Sequence, residues 1–366
     1  MTFSVSQAKA ADNQAILALL DRNPVPGAIE VVMQCRPSFI RAQQVKGDVV
    51  QIGIGRERET GAVVGVGVRS IATLYVDSRP VRVGYLSGLR IDSRFRGSSL
   101  LARAFRFLRE LDKDRQCDFY LTTIVDDNEQ AKELLTSKRA GLPAYIDWGR
   151  FCTAYIYPGR TIKKIRHGRN LTFCHGNREN RQELISFLNQ QGADKQFFPK
   201  ISQQDFTERF QNSCLKDWYL LHENGRLAAA ALKWDQSAFK QTIISGYHGM
   251  MRVAGYLSRL LARLAIVPAL PAAGSQLEQF YISFCTVRNN DPQLFSILLG
   301  RIYNDFLKQG SGYGIIGFHE TDPLLSCLHP FTHKKYWSRL YLVSWQGRPQ
   351  IEAPAGRTPF LEVACL

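Results

Sequence analysis

The sequence predicts a mixed α/β (α+β) protein made of two similar units, each a twisted mixed sheet flanked by helices. Strand-like and helix-like periodicities alternate along the chain, which excludes all-helical and all-β classes. The same order of elements recurs in the second half. Matching elements also keep one separation: Ile91 to Val287 and Asp126 to Asp322 both span 196 positions (287 − 91 and 322 − 126), as duplication of one unit would give. A chain of 366 residues exceeds what a single core usually organises. We therefore expect a first unit over 1–158, a basic linker over 159–170 and a second unit over 171–366 with an amphipathic insert at 249–274.

In the first unit, Ala11 to Asp21 places Ile16, Leu17, Leu19 and Leu20 on or near one helical face. Val49 to Arg56 and Val63 to Tyr75 read as strands around a polar turn at Glu57 to Gly61, and Val81 to Ile91 follows the turn residues Asp77 to Pro80. A helix opens after Ser93 to Ser99 and runs to Leu111, with Leu100, Leu101, Ala104, Phe105 and Leu108 as its buried stripe. Phe119 to Val125 is a strand. Asp126 and Asp127 are placed to cap a helix over Glu129 to Ser137, and Ala144 to Tyr157 reads as a closing pair of strands. The second unit repeats this order: a helix at Gln182 to Gln190, a hairpin of Trp218 to Leu221 and Arg226 to Lys233 around Glu223-Asn224-Gly225, a strand at Gln279 to Val287, a helix at Pro292 to Leu307 and a strand at Gly314 to Phe318.

The composition, 45% hydrophobic and 22% charged, is that of a soluble globular chain. No signal peptide is read in Met1 to Ala28. The most apolar stretch, Val253 to Leu270, is interrupted by Arg259, Arg263 and Pro268, which argues against a membrane span; a cytoplasmic location is the expectation. Eight scattered cysteines form no CxxC pair and no zinc spacing, so reduced thiols and no metal are expected. The net charge of +15 favours polyanionic partners, from nucleic acid to a phosphorylated cofactor. No aromatic-basic motif for specific nucleic-acid recognition accompanies it. The basic run Lys163, Lys164, Arg166, His167 and Arg169 reads as a solvated linker.

The segment Leu89-Arg90-Ile91-Asp92-Ser93-Arg94-Phe95-Arg96-Gly97-Ser98-Ser99-Leu100 carries the chemistry. A strand ending in a basic, small-residue loop that opens into a helix offers free backbone N–H groups at the positive helix end, a candidate pyrophosphate site. Gly97 permits close approach, Ser98 and Ser99 add little bulk, and Arg94 and Arg96 supply charge.

Here the chain resembles the GNAT acyltransferase superfamily. The family signature Arg/Gln-x-x-Gly-x-Gly/Ala is met by Arg94, Gly97 and, with a serine, Ser99; the family's Asn-x-x-Ala is met by Asn128-Glu129-Gln130-Ala131. The resemblance covers roughly residues 1–157. It implies that the strand ending at Leu89, Arg90 and Ile91 bulges away from Phe119 to Val125, and that the pantetheine arm of an acyl-CoA lies in the notch. It further implies that Arg96, Gly97, Ser98, Ser99, Leu100 and Leu101 hold the pyrophosphate and that Asn128 bonds the arm. Two family residues are missing. A tyrosine expected seven positions after the Asn is Leu135, and the strand Val81 to Ile91 lacks the usual glutamate. Tyr85, Asp126 and Tyr145 are the candidates for proton handling in their place, with Ser87 a further neighbour of the notch. His319, Glu320 and the Leu366 carboxylate are groups the second unit could lend.

The second unit lacks the loop. Opposite Arg94 to Ser99 stand Asn290, Asp291, Pro292, Gln293, Leu294 and Phe295, an acid and a proline that disfavour pyrophosphate; this is expected to be a degenerate GNAT-like copy shaping the acceptor side. In the insert, Arg252, Arg259 and Arg263 share one helical face, a pattern compatible with peripheral membrane contact. The expected function is transfer of an acetyl or other acyl group from coenzyme A to an amine. The alternative is a non-catalytic acyl-CoA-binding or sensing protein.

Overall fold

The computed structural model describes residues 2–25, 27, 29–137, 141–159, 161–162, 168–249, 272–309, 312–347, 351 and 356–366. The insert arginines and most of the basic linker run therefore lie outside the described residues. The strands are β1 (Phe3–Gln7), β2 (Ile29–Gln34), β3 (Val49–Glu57), β4 (Val63–Val76), β5 (Arg79–Ile91), β6 (Tyr120–Val125), β7 (Ala144–Ile156), β8 (Leu171–His175), β9 (Trp218–Glu223), β10 (Arg226–Trp234), β11 (Gln241–Tyr247), β12 (Gln279–Val287), β13 (Tyr313–His319) and β14 (His333–Ser344). The helices are α1 (Asn13–Asp21), α2 (Phe39–Ala42), α3 (Leu100–Asp112), α4 (Glu129–Leu135), α5 (Arg181–Gly192), α6 (Asp205–Glu208) and α7 (Pro292–Lys308).

Twelve strands form one continuous mixed sheet in the order β1-β3-β4-β5-β6-β14-β7-β13-β12-β10-β9-β8, and β2 and β11 form a separate ribbon. The mixed α/β class is as the sequence predicts. The two stretches of chain nevertheless share this sheet: β14, from the C-terminal stretch, lies between β6 and β7 and is antiparallel to both. The β2–β11 ribbon and the segment around Phe198, whose carbonyl accepts from the Tyr75 amide at 2.8 Å, join the stretches again. The order has an internal symmetry. A parallel pair, β5–β6 or β12–β13, stands on each side of the central antiparallel pair β14–β7.

Ala144 to Ile156 is one strand rather than two. Gly149, at φ 89°, bends it, and the register against β14 shifts between Arg339 and Tyr341. A side chain at 149 would collide with His319 and Glu320, which pack there. Glycines also let α3 approach the sheet: a Cβ on Gly55 would lie 2.4 Å from Leu100 Cδ1 and one on Gly53 3.2 Å from Phe107. Of the expected α3 stripe only Leu100 and Phe105 are buried. Leu101, Ala104 and Leu108 stay half-exposed, because α3 covers the narrow β1–β3–β4 end of the sheet rather than its broad centre. Burying Leu100 contributes roughly 2 kcal/mol.

A buried polar network fixes the other end of α3. Arg69 on β4, 1% exposed, donates to both carboxylate oxygens of Asp114 at 2.7 and 2.8 Å, to Gln51 and to the Tyr120 hydroxyl at 3.0 Å. Tyr120 in turn donates to Asp112 at 2.7 Å, and its ring covers Gly84, where a Cβ would lie 2.1 Å away.

Candidate active site

The parallel strands β5 and β6 pair at only two positions, Gly84↔Tyr120 and Tyr85↔Leu121. They then diverge, with the Thr122 hydroxyl donating to the Leu86 carbonyl at 2.8 Å as a last link. Against β4, the register runs Val68↔Ser87 and then Val66↔Arg90, so β5 carries one extra residue. That bulge is built on Gly88, whose φ of 63° lies in the region that favours glycine. Leu89, 40% exposed, faces solvent beside it. The result is a notch whose β5 wall, Ser87 to Ile91, meets no strand on the β6 side among the described residues, a divergence of the kind the family resemblance implied for Leu89, Arg90 and Ile91.

The loop at the notch mouth folds differently in detail from its sequence reading. Asp92 starts a short turn, accepting from the Arg94 amide at 3.1 Å, and its carboxylate also holds the Arg94 guanidinium at 3.0 and 2.8 Å. The Arg94 charge is thus largely spent on its neighbour, and the guanidinium holds the Asp92 carboxyl below its usual range. Arg96 is exposed and has no ion pair among the described residues. Arg90 is half-buried; burial lowers its pKa and the charge of Arg96 lowers it further, so the two cations share one positive zone. Gly97 has φ 77° and open space where a Cβ would stand. Ser99 occupies the N-cap of α3 without using its side chain as a cap, while Ser98 Oγ accepts from the Leu100 amide at 3.3 Å. The Leu101 amide keeps no internal partner in the described hydrogen bonds, which leaves a donor at the helix mouth.

Asn128, not Asp126 or Asp127, caps α4: its Oδ1 accepts from the Ala131 amide at 3.1 Å. Asp126 instead pairs with Arg150 at 3.0 Å, and that guanidinium lies over Trp337, 4.4 Å from the ring centroid. The other Asp126 oxygen is buried without a partner.

The three proton-handling candidates do not converge. Tyr85 packs on the cluster of Val83, Leu121 and Leu342, and its hydroxyl meets Thr123 Oγ1 at 2.9 Å across the opening strands. Burial pushes its phenol up to about 12. Tyr145 packs on the separate cluster of Tyr120 and Tyr341, as do Ala131 and Leu135 of α4, and burial raises its pKa too. Leu135, the residue that stands where the family has tyrosine, packs on the same cluster. The Tyr145 ring is 5.8 Å from that of Tyr341, a second phenol in the same cluster that sequence reasoning missed because β14 lies some two hundred positions away in the chain. His319 and Glu320 are tied to β7, His319 Nε2 to the Trp148 carbonyl at 2.8 Å and Glu320 as acceptor from the Arg150 amide at 2.8 Å.

The second parallel pair repeats the geometry and closes it. β12 and β13 pair from Gln279↔Tyr313 to Tyr281↔Ile315 and then part; β12 carries its own bulge between Ser283↔Leu232 and Thr286↔Ala230. The Phe284 amide donates to Glu362 at 2.6 Å, so the chain's own segment 360–365 fills the opening. At the mouth, Asp291 caps α7 and pairs with Arg169 at 2.7 Å. The phosphate position is occupied by an acid, and the linker residue Arg169 is pinned rather than loose.

No protein-family model and no curated protein matches this sequence. Solved structures do match its fold. The GCN5-related glucosamine N-acetyltransferase region of a fungal multi-domain GH3 β-N-acetylglucosaminidase is similar at TM-score 0.63 and 13% identity, over 93% of this chain and 38% of that protein. This chain thus spans well under half of the fungal protein. A GCN5-related N-acetyltransferase from Sphaerobacter thermophilus is similar at TM-score 0.58 and 11% identity, over 100% of this chain and 98% of that one. Saccharomyces cerevisiae N-myristoyltransferase with bound myristoyl-CoA is similar at TM-score 0.63 and 12% identity, over 95% and 84%. The fold of this chain is that of the GNAT acetyltransferases and N-myristoyltransferases.

Proposed function

We propose that this protein transfers an acyl group from coenzyme A to an amine, with the acyl-CoA lying in the β5–β6 notch and the second parallel pair serving as a degenerate copy. The observation that carries the reading is the two-residue pairing of β5 with β6 followed by the Gly88 bulge, with α3 opening at the notch mouth. The side of residues 87–91 that faces away from β4, where no β6 pairing is found among the described residues, suits an extended pantetheine arm, which adds to β5 as a strand would. Arg96, Gly97 and the Leu101 amide suit the pyrophosphate, and the uncommitted Asn128 amide nitrogen suits the arm beyond it. The closed second notch and its acidic mouth support one acyl-CoA site in the chain.

An amine attacks the thioester carbonyl held at residues 88–89: the carbon–nitrogen bond forms, the nitrogen's surplus proton passes to water, the carbon–sulfur bond breaks, and the thiolate takes up a proton from its donor, which water then reprotonates. Tyr145 packs on the same cluster as Leu135 and is our assignment for that proton's donor; its raised pKa keeps it protonated at neutral pH. The test is thiol release from acetyl-CoA and longer acyl-CoAs in the presence of an amine panel. Turnover that falls ten- to a hundred-fold in Tyr145→Phe, with acyl-CoA affinity kept, supports the assignment. Acyl-CoA that binds and is never consumed would mark the protein as a binding or sensing module.

A further inference from the structure

Two lysines far apart in sequence lie near the Cys35 thiol beneath the notch. Lys46 ends the short turn after α2, and its Nζ donates to Ser87 Oγ at 2.9 Å, on the residue just before the Gly88 bulge. Lys240 lies between β10 and β11, with its Nζ 5.1 Å from the Tyr281 ring centroid. The ammonium of Lys240 acts on Lys46, whose pKa falls to about 7, chiefly through burial and then through that repulsion. Burial lowers the Lys240 pKa, but the Tyr281 hydroxyl and the Cys35 and Cys365 thiols outweigh it and hold that ammonium above its usual value, so Lys240 is the cation of the pair at neutral pH. Cys35 and Cys365 face both lysines as thiols raised by burial, and Arg209 behind Cys365 is another cation, paired with Asp205 at 3.5 Å. No carboxylate lies within ion-pair reach of Lys46 or Lys240 among the described residues, and the insert 250–271 contains no acid.

Both side chains keep accessible surface although burial weighs on each. That combination belongs to the lining of a cleft rather than to a packed core. Deep cations without a counter-ion are costly, and a bound anion removes the cost. The location names the anion's owner. Ser87 shares the face of Tyr85 and Thr123, opposite the face where Tyr120 meets α3, so the lysines lie across the sheet from the proposed pyrophosphate loop. Leu89 lies two strand residues beyond Ser87, about 7 Å, a span that one small molecule covers between its amine and its acid group.

On the acyl-transfer reading, we propose that the acceptor is an amine bearing a carboxylate, as an amino acid or a peptide C-terminus does, and that Lys46 and Lys240 hold that carboxylate. Their distance to the thioester site then positions the amine.

The test measures thiol release from acetyl-CoA with amino acids of increasing amine-to-carboxylate spacing, each beside its amide. The wild type is expected to prefer an acid over its amide by about tenfold or more, the worth of one lost charge-assisted hydrogen bond. Lys46→Met and Lys240→Met are each expected to collapse that ratio toward one, and Lys46→Arg to preserve it. A wild type that acylates acids and amides equally, or neither, overturns the assignment. So does a Lys46→Met variant that loses both in proportion, which would mark a proton-handling lysine. Calorimetric titration of acetyl-CoA into the same preparations needs no acceptor: binding without acid preference sinks the carboxylate site and leaves the acyl-CoA reading standing.

Discussion

Gly88 and Phe284 hold the same structural position 196 residues apart (284 − 88): each is the positive-φ residue, at 63° and 49°, of a one-residue bulge on a strand that parts from its parallel neighbour. At Gly88 the notch is open; at Phe284 it is closed by Glu362. One geometry thus occurs in two places and is open in one of them.

The bulge at Gly88 should not survive a β-branched residue. Gly88→Val places a side chain at φ 63°, with its Cβ already 3.4 Å from Val68, at a backbone cost of about 1–3 kcal/mol. A lowered melting temperature and weakened acetyl-CoA binding are expected together; a variant that loses stability but binds as before would show that the bulge does not shape the site.

Much of the candidate site was legible because its determinants are local. The order strand, small basic loop, helix is written in consecutive residues, and β12 begins and ends where its apolar run does. Asp92 illustrates a local signal under-read: an acid two residues before Arg94 is placed to take that charge, and does. Asn128 illustrates a competition between caps, in which the residue one position before the helix prevailed over the two acids preceding it. What was not legible is non-local. Nothing in His333 to Ser344 says that this strand enters between β6 and β7, and nothing in Lys46 or Lys240 alone points to the other. The ribbon strands Ile29 to Gln34 and Gln241 to Tyr247 were missed because each is stabilised by a partner some two hundred positions away.

Glu362 makes stability depend on pH. Burial holds its carboxyl up at about 7, above the ordinary value near 4.3, although the Phe284 and Ala364 amides pull it down. Between those values the folded state binds the extra proton, so the group's contribution is full below about pH 4 and is lost as pH rises through about 7. Chemical denaturation across pH 4 to 8 should show wild-type stability declining more than that of Glu362→Gln. Parallel profiles would place the Glu362 titration elsewhere.

Asp114 has the opposite sign. The Arg69 guanidinium holds its carboxyl below the usual range, so its contribution is present above about pH 4 and lost as pH falls through the depressed value. Asp114→Ala leaves Arg69 buried with only Gln51 and Tyr120 as partners, and is expected to cost about 3–5 kcal/mol. Denaturant titration checks the magnitude; a loss under 1 kcal/mol would mean that Arg69 finds water on losing its partner.

The central claim is that the β5–β6 notch and its loop bind acyl-CoA, and calorimetric titration of acetyl-CoA into wild type and Gly97→Glu tests it most directly. A Cβ at Gly97 meets open space, so the variant should fold with a backbone penalty of only about 1–2 kcal/mol while placing a negative charge where the pyrophosphate would lie. Saturable binding by the wild type that weakens about a hundred-fold or more in the variant is the predicted result. A wild type that takes up no acetyl-CoA, or a variant that binds it equally well, would contradict the site.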